Sequence, residues 1–159
     1  MSQGYEVLEH TADIGLRAFG DTLEEVFTCM ALGMISLILS PDSHVSSREK
    51  KHIKVTGYDP ESLMVEWLSE LLFQIYSENF LLSDIQSIEI RVPEHIPADP
   101  NGYLVSATIS GEKFRTETHK FDLEIKGVTY HMLKVERLDS PEEEPNHKGK
   151  WQAQVILDI

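Results

Sequence analysis

Two stretches of this chain repeat their apolar residues every three to four positions. No other feature constrains the fold as much. In the first, Leu23, Val26, Phe27, Met30, Ala31, Met34, Ile35 and Ile38 fall on one helical face. Thr22 and Glu25 stand three apart, as a capping box requires, and Ser40-Pro41-Asp42 stops the repeat. The spacing predicts a helix near residues 22–39. In the second, Met64, Trp67, Leu68, Leu71, Leu72 and Ile75 form the stripe. Asp59 is a good N-cap there and Pro60 a good first helical residue, so a helix is predicted near 60–78. Each stripe must be buried against another element.

The remaining segments alternate, as strands do. They are "YEVLE", "IGLRAFG", "HIKVTGY", "SIEIRV", "LVSATIS", "EIKGVTYHMLKVERL" and "WQAQVILDI". The sixth is long enough to bend, and Gly127 is the expected place. "HIPADPNGY" and "DSPEEEPNHKGK" read as loops. The expected architecture is α+β. A single domain spans 1–159, with its two long helices packed on one face of a mixed, largely antiparallel sheet. Trp67, Leu71 and Leu72 should lie in the core.

Composition narrows the function. The chain has 159 residues, with 27 acidic and 14 basic side chains, a formal net charge of −13. Nucleic-acid affinity comes mainly from Lys and Arg neutralising phosphates. The longest basic run, "REKKHIK", is short and interrupted. Tight binding to RNA or DNA is therefore not expected. An acidic surface suits cations or a basic protein partner, although solubility alone also accounts for it. No apolar run approaches the roughly 20 residues of a membrane span. The start, "MSQGYEVLEH", has neither the basic nor the apolar region of a secretory signal. The one cysteine, Cys29, lies on the apolar face of the first helix and reads as a core residue. A cytoplasmic location is expected.

Two aspartates sit where a strand would prefer valine: Asp13 in "EHTADIG" and Asp158 in "VILDI". An ionised carboxylate beside apolar residues is costly unless paired or bound to a cation. Ile159 would add backbone oxygen, and hard divalent cations take such oxygens. The alternative is a solvated terminus plus an aspartate in a turn. "KGVTYH" brings Lys126, Thr129, Tyr130 and His131 onto one strand, and His10 could join them. Such a group can do acid–base work or simply be hydrogen-bonded strand side chains. Phosphate-binding loops and the common hydrolase and metalloprotease motifs are absent, so the chain is poorly equipped as an enzyme.

Read in order, "HTADIGLRAFG", "TLEEVFTCMALGM", "LMVEWLSELLFQIYSENFL", "IKGVTYHMLKV" and "WQAQVILDI" resemble the archease family. The match runs over nearly the whole chain. The resemblance implies a non-enzymatic activator of the GTP-dependent, RtcB-type RNA ligase of tRNA splicing. It would promote guanylylation and multiple turnover of that ligase. It also implies a divalent cation on Asp13, Asp158 and Ile159. Calcium is the foremost candidate, with magnesium or manganese as alternatives. His10, Lys126, Thr129, Tyr130 and His131 would lie near that site. Other readings are a chaperone-like modulator of a tRNA methyltransferase and a small metal-dependent hydrolase. One position departs from the family pattern, which usually has Ala where this chain has Gly127. The acidic run Glu142–Glu144 looks like a local insertion.

Overall fold

Both helices form where the periodicity places them. In this computed structural model, which describes residues 3–9, 13–93, 102–138 and 149–159, α1 spans Leu23–Ile38 and α2 spans Pro60–Tyr76. Thr22 caps α1, its side chain accepting from the Glu25 N–H. The return bond differs from a standard capping box. Glu25 Oε2 accepts from the N–H of Asp21, one residue before the cap, at 2.7 Å. Asp59 caps α2 in a full capping box with Ser62, and Pro60 opens the first turn.

Among the described residues, seven strands accompany the helices: β1 (Gly4–Glu9), β2 (Asp13–Gly20), β3 (Glu49–Gly57), β4 (Phe80–Arg91), β5 (Tyr103–Lys113), β6 (Gly127–Arg137) and β7 (Trp151–Asp158). They divide into two sheets, ordered β1-β2-β7-β6 and β3-β5-β4, and every pairing is antiparallel. The expected α+β class and antiparallel pairing are thus present, with two sheets in place of one. The helices link the sheets: α1 packs on β1, β2, β7 and β4, and α2 on β3, β4, β5 and β6.

Trp67 is fully buried, with Leu71 and Leu72 beside it in one continuous core. Its indole N–H donates to the Phe27 carbonyl at 3.0 Å, fastening α2 to α1. Cys29 is buried, and burial pushes its thiol above the usual range, so it packs as a small apolar group. Among the described residues, no helix is long and apolar enough to cross a membrane.

Two strands depart from the sequence expectation. β4 begins at Phe80, well before "SIEIRV". Its register shifts against β5 between Leu82 and Asp84 and again between Ile85 and Ser87. Such bulges break the alternation that reveals a strand. In β6 the irregularity is not at Gly127, where the strand starts, but after Thr129. Of the expected loops, "HIPADPNGY" up to residue 101 and "DSPEEEPNHKGK" up to residue 148, including Glu142–Glu144, lie outside the described residues, and Tyr103 already belongs to β5.

Candidate functional site

β7 lies between β2 and β6, and this order builds the site. Leu16 and Ala18 on β2 and Ala153, Val155 and Leu157 on β7 face the helices and are wholly buried. Asp13, Gly15 and Arg17 therefore point to the opposite face, as do Gln154, Ile156 and Asp158.

Gly15 on that face is a close-approach position. A Cβ there would press on Leu8 and Ile156, so the absent side chain lets those two meet across β2. Ile156 is consequently buried on this face as well, although it stands apart from the main core. One step further along, Gln154 is also buried. It accepts from Arg17 Nη2 at 2.9 Å and donates to the Met132 carbonyl at 3.0 Å.

At the other end of this face, Asp13 and Asp158 are directly opposed in the β2–β7 register. Directly opposed residues place their Cβ atoms about 4.5–5.5 Å apart on one side of the sheet, and like charges there repel. The Asp13 Oδ1 atom is buried and has no hydrogen-bond partner among the described residues. A buried carboxylate oxygen without a donor is costly. Arg17 cannot relieve it, being two steps down the same face and engaged with Glu6 and Gln154. Asp158 is exposed and Ile159, next along, is half-buried against the core.

The neighbouring strand fixes the backbone around Asp158. Gly127 pairs with it, and the Lys126 N–H donates to its carbonyl at 2.7 Å. The Thr129 hydroxyl donates to the Ile156 carbonyl at 3.1 Å. A Cβ at Gly127 would meet nothing within 4 Å, so an alanine fits there without adjustment.

These residues fit a divalent cation. Two carboxylates share one face at one register position, one of them with an oxygen that has no donor among the described residues, and a backbone oxygen follows at Ile159. Hard oxygens of this kind suit calcium, magnesium or manganese. The described residues contain no group of three or more His, Cys, Asp or Glu side chains placed to hold a metal. Among the described residues the candidate donors are two side chains plus main chain.

The "KGVTYH" group separates in space. Lys126 and Thr129 serve the Asp158 edge through the contacts above. Tyr130 and His131 stay within β6 but fall in a break of its register with β7. Register resumes only at Lys134 opposite Gln154, so Tyr130 to Leu133 stand against Val155 alone. Strict alternation of side chains therefore fails beyond Thr129. His10 lies outside the described residues.

Sequence reasoning also missed a buried ionic cluster around Glu112. Its carboxylate accepts from the Ser46 N–H at 2.7 Å and pairs with Arg48 at 3.1 Å and Arg115 at 3.2 Å. His119 Nδ1 accepts from the Arg115 N–H, so Nε2 is the donor that faces Glu112 and the His44 carbonyl. The Ser46 N–H, followed by His119 and Arg115, holds the Glu112 carboxyl below its ordinary range despite burial. The cluster ties the segment after α1 to the end of β5. No spacing in the sequence brings residues 46 and 112 together.

A model described as the Archease protein family (MTH1598/TM1083) matches residues 5–159. The protein named "Protein archease" from Methanosarcina mazei is 41% identical over 160 residues, which cover 99% of each chain. Its namesake from Pyrococcus abyssi is 36% identical over 156 residues, covering 98% of each. The solution structure of Methanobacterium thermoautotrophicum protein 1598 superposes with a TM-score of 0.72 at 33% identity, covering 98% of this chain and 99% of that one. With the helices, the strand order and the two opposed aspartates in place, the chain belongs to the archease family.

Proposed function

We propose that this protein is a non-enzymatic activator of a GTP-dependent, RtcB-type RNA ligase in tRNA splicing, and that it works through a divalent cation held at the Asp13–Asp158 edge. The observation that carries the reading is the pair of register-opposed aspartates, one with a buried oxygen that has no donor among the described residues, in an archease chain. Asp13, Asp158 and a backbone oxygen of Ile159 are the ligands. Calcium is the first choice, with magnesium or manganese as alternatives. When bound, the cation supplies charge neutralisation and open coordination positions for the oxygens of a phosphate.

The chain's own residues do the positioning. The Lys126 N–H fixes the Asp158 backbone, and Thr129 ties β6 to β7. The Lys126 ammonium group, exposed beside this edge, offers a second positive charge to an anionic group in the ligase site. The edge thus presents a cation site to a basic RNA-processing enzyme, where it helps place metal or GTP and promotes guanylylation and turnover. Tight RNA binding by the protein alone is not part of the mechanism, since a net charge of −13 repels phosphate.

The test is RNA ligation by the cognate ligase under substrate excess, with and without this protein. Faster guanylylation and continued turnover on addition of the wild type, lost with Asp13→Ala and with Asp158→Ala, are expected. Full stimulation by Asp13→Ala would defeat the metal reading. Metal-dependent phosphoester cleavage by the pure protein would favour the hydrolase. Co-purification with a tRNA methyltransferase rather than the ligase would favour the chaperone-like role.

A further inference from the structure

Among the described residues β6 is an edge strand, and its core side packs on α2. Halfway along, four residues, Tyr130 to Leu133, occupy the space opposite the single residue Val155. Leu133 returns to the core, but the other three are exposed, with Tyr130 62% and Met132 53% accessible. Neither the Tyr130 hydroxyl nor the His131 ring has a hydrogen-bond partner among the described residues.

The protrusion is nevertheless held firmly. Thr129 is bonded to the Ile156 carbonyl on one side of it. Buried Gln154, itself fixed by Arg17, donates to the Met132 carbonyl. Met132 has φ 55, in the left-handed region that a long side chain seldom occupies. Such conformations persist only where the surroundings enforce them, and they gather at binding elements. Glycine would suit this φ better, yet the chain keeps methionine.

A bulge on an edge strand can serve merely to block pairing with another sheet. That purpose needs no large apolar side chains at the tip, and a lysine would serve it better. Tyrosine and methionine, here two residues apart on one bulge, are residue types enriched at protein interfaces.

We propose that Tyr130 and Met132 are the anchors by which this protein docks on its partner, each filling an apolar pocket rimmed by lysine and arginine. The inference rests on the functional reading above, with the ligase as the partner. Charge complementarity selects the basic rim. The bulge lies on the strand that pairs with Asp158, and the Gln154 that holds it projects from the same face of β7 as Asp158, in a chain of net charge −13. Docking through the bulge would then bring the Asp13–Asp158 edge to the partner without relying on the cation for affinity.

The experiment measures affinity between purified wild type or variant and the cognate ligase at two salt concentrations, together with thermal unfolding of each variant. Tyr130→Ala and Met132→Gly should each weaken binding about 10-fold or more, mainly through faster dissociation, and Tyr130→Phe should retain most of it. Affinity should fall as salt rises. Met132→Gly should melt at or above the wild-type temperature, because glycine relieves the left-handed backbone. Its loss of binding therefore cannot come from misfolding. Wild-type binding with both variants within twofold of it would overturn the inference and leave the functional reading standing. Absence of wild-type binding would overturn both. A wild-type dimer that Tyr130→Ala dissociates, with ligase affinity unchanged, would assign the bulge to self-association instead.

Discussion

Replacing Asp13 by Asn should invert the stability order of this protein between chelator and calcium. In chelator, the two opposed carboxylates repel across the β2–β7 pair. At a charge separation of about 5 Å the repulsion is about 1 kcal/mol in a water-like medium and about 3 kcal/mol at an effective dielectric constant of 20. Asp158 is exposed, so the lower figure applies. An amide at position 13 also gains a donor that the facing carboxylate can accept. Asp13→Asn should therefore be about 1 kcal/mol more stable in EDTA, a rise of about 2–4 °C in Tm for a chain of this size. In calcium at about 100 times Kd, the wild type should gain about 2.7 kcal/mol by mass action and the variant little. The wild type then becomes the more stable protein. Differential scanning calorimetry of both proteins, in EDTA and across a calcium series, reads the crossing directly. A variant less stable than wild type in EDTA would mean that the Asp13 carboxylate already makes a favourable contact. A variant that rises with calcium as much as the wild type would show that the cation is not held here.

Trp67→Phe should cost about 2–4 kcal/mol through a cavity and the lost bond to the Phe27 carbonyl. The urea midpoint should fall with an unchanged m-value, and an unchanged midpoint would contradict the role of this contact in joining the helices. Gly111→Ala should prevent stable folding, because a Cβ there overlaps the Leu81 carbonyl oxygen at the β4–β5 bulge. A wild-type melting curve would show that β4 can shift at no cost. Glu112 contributes stability that depends on pH. Its folded-state pKa is depressed, so the contribution is complete above the unfolded value of about 4.3, declines as pH falls from there and is gone below the folded pKa. Glu112→Gln should destabilise at pH 7 and flatten the acid limb of the stability curve, and an acid limb as steep as that of the wild type would refute this.

Local signals carried much of the fold. The helix stripes through Val26–Ile38 and Met64–Ile75 were legible because each buries one continuous face. The caps at Thr22 and Asp59 followed from residue type alone. The start of β4 was hidden because bulges near Leu82 and Ile85 disrupt its alternation. The division into two sheets was also hidden, since pairing partners are distant in sequence. At the candidate site, an aspartate in an apolar strand was visible as an anomaly at both position 13 and position 158. Their direct opposition needed the register. The Tyr130–Leu133 bulge left no trace in "KGVTYHMLKV", which reads as unbroken strand, because the buried Gln154 that holds it comes from another part of the chain. Glu112 carries no signal in the sequence, because only the fold brings Ser46, Arg48 and His119 around it.

The interior place of β7 has a consequence for the order of events during synthesis. Contacts such as Arg17 to Gln154 join residues 137 apart, and closing a loop of that length costs about 4–5 kcal/mol in chain entropy. While a ribosome is still making the chain, the β1–β2 hairpin and β6 are two separate edges with a gap between them. Both helices can assemble in that time, but the four-stranded sheet cannot close until residues 151–158 have emerged and slotted into the gap. Asp13 has no cross-strand partner until Asp158, on a strand made after the other six described strands, slots in beside it. A sheet that lacks β7, or takes it in another register, cannot set the two aspartates opposite each other.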